Sequence, residues 1–178
     1  PVVQNDRMIY DDKGHIAGVR TTMQDITDRR EAEEALSNRD AILEAVSFCS
    51  EQFLKNPDWS EAVRDSLKRL GSALRVDSIS LYKNVTAGSG GLGAERSFVY
   101  ALNEGVTPPD LHEGAPVAYV RDGFARWEEM LSRNVPIHGF VRTFPEPERL
   151  HLEPSGVLSL AVVPIFVDEQ WWGFIVFG

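Results

Sequence analysis

Val157-Leu158-Ser159-Leu160-Ala161-Val162-Val163-Pro164-Ile165-Phe166-Val167 runs through Asp168-Glu169-Gln170 into Trp171-Trp172-Gly173-Phe174-Ile175-Val176-Phe177. Two apolar runs rich in β-branched and aromatic residues flank a tight polar turn, which predicts a pair of antiparallel strands. Leu158–Val167 is the longest apolar run of the chain. It falls well short of the roughly 20 residues a spanning helix needs, and Pro164 interrupts it.

Working back from this hairpin, the pattern keeps alternating. A proline-punctuated stretch reaches Gly156, behind a strand-like Ile137–Thr143. A short helix from about Asp122 to Arg133 carries Phe124, Trp127 and Leu131 on one face. Pro108, Pro109 and Pro116 mark a loop, and Arg96–Leu102 reads as a strand behind the glycine-rich Ala87–Gly93. Val76–Tyr82 has period two, with Ile79 and Leu81 on one side and Ser78, Ser80 and Tyr82 on the other. In front of it Asp58-Trp59-Ser60-Glu61 offers a capping box, and Trp59, Val63, Leu67, Leu70 and Leu74 share a helical face. These elements predict an α+β domain with an antiparallel sheet flanked by helices.

The first part of the chain is organised differently. Arg7–Tyr10 and His15–Met23 read as two strands around the turn residues Asp11-Asp12-Lys13-Gly14. From Asp28 to Lys55 there is neither proline nor glycine, so a helix of roughly 40 Å is expected. Thr27 or Asp25 can cap it, and Asn56-Pro57 ends it. Its first half is charged, with Ala32, Ala35 and Leu36 as a thin stripe. Its second half widens to Ile42, Leu43, Ala45, Val46, Cys49, Phe53 and Leu54. Such a stripe predicts a two-chain coiled coil running into a domain core.

Composition narrows the function. With 18 Lys and Arg against 27 Asp and Glu, the net charge is −9, which argues against nucleic acid or an anionic membrane as partner. The one cysteine, Cys49, excludes an internal disulfide and a multi-cysteine metal site. No signal peptide opens the chain, so a soluble, cytoplasmic protein is expected. The chain starts in mid-pattern and stops just after a strand-like run, so it reads as part of something longer.

The stretch Ile9-Tyr10-Asp11-Asp12-Lys13-Gly14-His15-Ile16-Ala17-Gly18, with Gln24-Asp25-Ile26-Thr27-Asp28-Arg29-Arg30 and Glu31-Ala32-Glu33-Glu34-Ala35-Leu36, resembles the end of a PAS domain followed by its signalling helix. From about Ile42 onward the order of elements resembles a GAF domain, carried by Arg75-Val76-Asp77-Ser78-Ile79-Ser80-Leu81-Tyr82 and by the closing hairpin. The organisation expected is therefore 1–27 as a PAS-end hairpin, 28–56 as a signalling helix, and 57–178 as a GAF domain. The closing helix that family members usually carry would be missing. The resemblance implies a sensory module of a histidine kinase or a cyclic-dinucleotide enzyme, with the output domain elsewhere.

Sharper motifs do not hold. Gly88-Ser89-Gly90-Gly91-Leu92-Gly93 spells a dinucleotide fingerprint, but it leads into a strand and not the helix that a pyrophosphate needs. Cys49 sits on an apolar helical face, where a packing role is favoured over a nucleophile. His112, His138 and His151 lack metal-ligand spacing. Phe166-Val167-Asp168-Glu169 has the wrong spacing for the cyclic-nucleotide signature of some GAF domains and reads as a turn.

Neither a catalytic nor a metal-binding residue is assigned, and no cofactor is named. The resemblance places a ligand pocket between the sheet and about Asn103–Gly156. Trp127, Phe140 and Phe144 are its candidate walls, and Ser80 and Tyr82 its polar contacts. The same aromatics suit a plain core equally well. Ala32, Leu36, Leu43 and Val46 are the candidate dimer seam. The expected protein is a homodimeric sensor that relays a ligand signal through its helices. The alternative is a dimerisation spacer that binds no ligand.

Overall fold

The computed structural model describes residues 1–88, 91–102, 111 and 116–178. The chain divides into two compact units, Pro1–Leu43 and Glu44–Gly178. Ser89 and Gly90 of the glycine loop, Pro108 and Pro109, and His112 lie outside the described residues.

In the first unit, β1 (Val2–Tyr10) and β2 (Ile16–Asp25) form an antiparallel hairpin, longer at its open end than the sequence suggested. The Asp11 carboxylate closes the turn by accepting from the backbone N–H of Lys13 and His15 at 2.9 and 2.8 Å, and Gly14 takes φ +80°. The register sets Met8 opposite Val19 and Gln4 opposite Met23, and Met8, Tyr10, Ile16, Val19 and Met23 are all exposed.

Helix α1 (Thr27–Lys55) follows, and its residues from Glu44 on belong to the second unit. Asp25, and not Thr27, supplies the capping acceptor. Its carboxylate takes the Thr27 hydroxyl at 2.6 Å and the Thr27 backbone N–H at 2.9 Å. These two bonds, the hydroxyl first, hold the Asp25 carboxyl below its ordinary value of 3.8. A carboxyl depressed by folding stabilises above its unfolded value and stops doing so as the pH falls through the folded one. The Thr27 amide is therefore expected to lose hydrogen-exchange protection as the pH drops below 3.8. Asp25→Asn should remove that dependence, and unchanged protection down to about pH 2 would contradict the assignment.

The second unit is built on a six-stranded antiparallel sheet of order β5-β4-β3-β8-β7-β6. Its strands are β3 (Ser78–Thr86), β4 (Leu92–Ala101), β5 (Val117–Ala118), β6 (Ile137–Phe140), β7 (Ser159–Val167) and β8 (Gln170–Phe177). β7 and β8 turn through Asp168 and Glu169, both left-handed at φ +48° and +63°, a backbone whose twist suits a two-residue hairpin. The sheet and its flanking helices make the α+β fold expected from the sequence.

Helix α2 (Trp59–Leu74) lies on one face of the sheet, packing Val63 and Leu67 on Ile79 and Leu81. Only half of its expected capping box forms. Asp58 accepts from Ser60 N and Glu61 N, whereas the Asp58 N–H goes to the Asn56 side chain. Arg75 ends the helix at φ +55° with its N–H on the Gly71 carbonyl. The end of α1 meets α2 through Arg69, which pairs with Glu44 at 3.1 Å, and through the Cys49 thiol, 3.8 Å from the Ser66 carbonyl. Cys49 is thus half-buried packing, as its apolar neighbours implied.

The other face carries the larger core and three segments that the sequence misplaced. Helix α3 (Ala125–Ser132) is shorter than Asp122–Arg133. β6 stops at Phe140, and Val141–Thr143 is a 3-10 turn, not strand. The proline-rich stretch holds a helix, α4 (Glu146–Leu152), with a further 3-10 turn at Glu153–Ser155. Pro147 sits in the first turn of α4, where its missing N–H costs no intrahelical bond.

Candidate ligand site

On that face, alternation along β3 turns Ser80 and Tyr82 away from α2. The register confirms the side they take. Ser80 stands opposite Val176 and Tyr82 opposite Phe174, and both β8 residues belong to the larger core. The Tyr82 and Phe174 rings stack at 4.9 Å, only 6° from parallel. Phe174 also meets Trp127 edge-on at 5.9 Å, and Tyr119 tilts against Phe174 and Trp171. Tyr82, Trp127 and Phe144 are buried together in this cluster.

Phe140 stands apart. It is 58% exposed, with the Arg142 guanidinium 5.2 Å above its ring. It lines an open groove of about 330 Å³ together with Arg142, Val157 and Leu158. Inside β6, Ile137 takes the buried position and Phe140, three residues on, falls on the opposite side.

The polar groups of the core are nearly all committed. The Tyr119 hydroxyl donates to the Asn84 side-chain oxygen at 2.7 Å, and the Asn84 amide donates to the Trp171 carbonyl at 2.9 Å. Burial, with the charge of Glu128 adding to it, pushes the Tyr119 phenol well above its usual value, so it stays a donor. The Leu111 N–H lies 3.5 Å from the Tyr82 hydroxyl. Trp171 Nε1 donates to the Gly173 carbonyl at 2.8 Å.

A charge pair, buried at Glu148 and partly exposed at Arg126, joins α3 to α4, and no motif in the sequence announced it. Glu148 is 1% exposed, and its carboxylate accepts from Arg126 Nε at 2.7 Å, Arg126 Nη2 at 2.5 Å and Trp127 Nε1 at 2.9 Å. The fork of Arg126 matches the carboxylate bidentately, and the guanidinium also lies 5.2 Å from the Phe144 ring. Gly123, at φ +84°, lets Pro147 approach closely: a β-carbon there would stand 2.6 Å from that ring.

Among the described residues no three His, Cys, Asp or Glu side chains converge on a metal position. His138 lies on β6, and His151 tilts against Phe124 at 5.3 Å. Of the glycine-rich stretch, Leu92 and Gly93 open β4, and Asp168 and Glu169 form the last hairpin turn. Of the candidate seam, Leu36, Leu43 and Val46 are 59%, 53% and 49% exposed, and Ala32 is exposed too.

A curled antiparallel sheet with a helix on one face and an aromatic core under short helices on the other is the frame of a sensory domain. The chain belongs to the GAF domain family, which its residues 58–178 match. It is 34% identical over 171 residues to the methanogenesis regulatory histidine kinase FilI of Methanothrix harundinacea (strain 6Ac). That alignment covers 95% of this chain and 19% of the kinase, so the chain spans about a fifth of its relative. Its fold is similar to the phycocyanobilin-bound GAF domain of a cyanobacterial phytochrome, at TM-score 0.60 and 14% identity over 79% of this chain and 78% of that one. A phycoerythrobilin-bound GAF domain of a cyanobacterial phytochrome gives 0.58 and 14%, covering 79% of each chain. GAF domains are typically sensory parts of signalling proteins and not catalysts. Among the described residues no helix is long and apolar enough to cross a membrane.

Proposed function

We propose that this chain is the sensory segment of a cytoplasmic histidine kinase, in which residues 1–27 are the end of a PAS domain, 28–56 a signalling helix and 57–178 a ligand-binding GAF domain. The kinase relative at 34% identity supports this output over a cyclic-dinucleotide enzyme. The observation that carries the relay is the exposure of Leu36, Leu43 and Val46 on α1. Their spacing of seven and three residues is that of a coiled-coil seam, which a second copy of the chain would cover. A ligand among Ser80, Tyr82, Trp127 and Phe144 would bias two packings of that seam and so reach the output domain.

Native mass spectrometry tests both halves. A dimer that becomes a monomer in Leu36→Glu/Leu43→Glu is expected, since like charges would face each other across the seam. An adduct lost on denaturation would establish the ligand. A monomeric wild-type chain at concentrations of tens of micromolar would end the relay reading.

A second reading has its own support. The core polar groups are largely paired with one another, and Trp127 is fully buried. That state suits a ligand-free dimerisation spacer. A bare dimer that no small molecule stabilises would favour it.

A further inference from the structure

Two short turns at the β6 edge of the sheet build a concavity away from the aromatic cluster. The 3-10 turn Val141–Thr143 carries Arg142, and the 3-10 turn Glu153–Ser155 carries Glu153. Gly156, at φ +74°, then reverses the chain, and the Val141 N–H bonds to the Leu158 carbonyl at 2.9 Å, which ties the two segments side by side. The groove of about 330 Å³ that both turns line has Phe140, Val157 and Leu158 as its apolar surface. Phe140 and Leu158 are 58% and 81% exposed, so both are open to an incoming apolar group. Val141 lines the groove too and is buried in the larger core, so the groove floor and that core share a side chain.

The groove carries two charges of opposite sign. The Arg142 guanidinium lies 5.2 Å from the Phe140 ring and has no acidic partner among the described residues. Glu153 meets Arg149 at 3.5 Å, an exposed pair worth little, so its carboxylate stays open to a better donor. A lone anion bound at Arg142 would be repelled by Glu153, and a lone amine at Glu153 would be repelled by Arg142. A ligand that carries both signs answers both residues at once. The volume of about 330 Å³ is near the lower end, roughly 300 Å³, of small-molecule sites. One ring or one branched chain fits it, whereas a dinucleotide does not.

We propose that this groove binds a free α-amino acid with an apolar side chain. Its carboxylate meets Arg142, its ammonium meets Glu153, and its side chain lies on Phe140, Val157 and Leu158. The site is distinct from the aromatic core, and the inference stands whether or not that core takes a ligand.

The test is protein-observed NMR of the whole chain titrated with phenylalanine, with N-acetylphenylalanine, which lacks the ammonium, and with phenylalaninamide, which lacks the carboxylate. Phenylalanine is expected to shift amides around Gly139, Gly156 and Leu158, and each blocked analogue should bind about fivefold more weakly, the upper worth of an exposed charge pair. Arg142→Ala should weaken phenylalanine about fivefold and leave phenylalaninamide unchanged, and Glu153→Gln should do the same with N-acetylphenylalanine as the indifferent probe. Both side chains are exposed, so neither variant disturbs the core. Blocked analogues that bind as well as phenylalanine, or variants that weaken all three probes alike, overturn the proposal. No shift at roughly ten millimolar phenylalanine overturns it as well. Shifts centred on Phe174 and the Trp127 side chain would put the ligand in the aromatic core, which overturns this site and supports the sensor reading.

Discussion

Arg126→Met is expected to destabilise the fold by about 3–5 kcal/mol, the cost of leaving a buried carboxylate without its cation. Glu148 is 1% exposed and would keep only the Trp127 N–H. Removing both charges should hurt less than removing one, because an apolar pair of similar volume leaves nothing charged to desolvate. The double variant Arg126→Met/Glu148→Leu is therefore expected to recover part of the loss. Urea denaturation with the slope held in common measures it. A double variant no better than Arg126→Met would mean that the hydrogen bond of Trp127 to Glu148, not the ion pair, secures α4.

Phe174→Ala should cost a similar amount, about 3–5 kcal/mol, by a different route. Its ring is fully buried, stacks on Tyr82 and meets Trp127 edge-on. Truncation removes those contacts and leaves a cavity that the sheet backbone cannot close. The environment of Trp127 changes with it, so a shift in tryptophan emission should accompany the loss. A cost below about 1 kcal/mol would show that the core already tolerates empty space there. Trp127 touches both sites, so the two perturbations should not be additive.

Much of the fold was legible because its signals are local. The β3 alternation and the Asp168-Glu169 turn are written in neighbouring residues, and the structure follows them. The start of β4 was not. Leu92 and Gly93 look like loop, yet Gly93 is in the strand because β5 passes so close that a β-carbon would collide with the Val117 carbonyl. Only the fold reveals that demand. Helix α4 was hidden by Pro145 and Pro147, which punctuate a loop or open a helix equally well.

The candidate site divides in the same way. Period two puts Ser80 and Tyr82 on the core side of β3, and helical spacing puts Trp127 there with Phe124 and Leu131. Phe140 was grouped with them by its chemistry alone, although its distance of three from Ile137 already set it on the other side of the strand. Glu148 could not be found. An acid among Pro145, Glu146, Pro147 and Arg149 looks solvated, and its partner lies 22 residues away.

The position of β8 sets the order of events at the ribosome. It lies between β3 and β7, so it joins the β5-β4-β3 half of the sheet to the β7-β6 half. While the chain is being made, the β3 edge that β8 will cover stays open from the synthesis of Thr86 until Gln170–Phe177 emerges. At ordinary translation speeds this interval is on the order of ten seconds. A nascent GAF unit of this kind therefore waits with an adhesive edge and an unclosed aromatic core. Ribosomes translating neighbouring copies, or a chaperone, meet it in that half-built form.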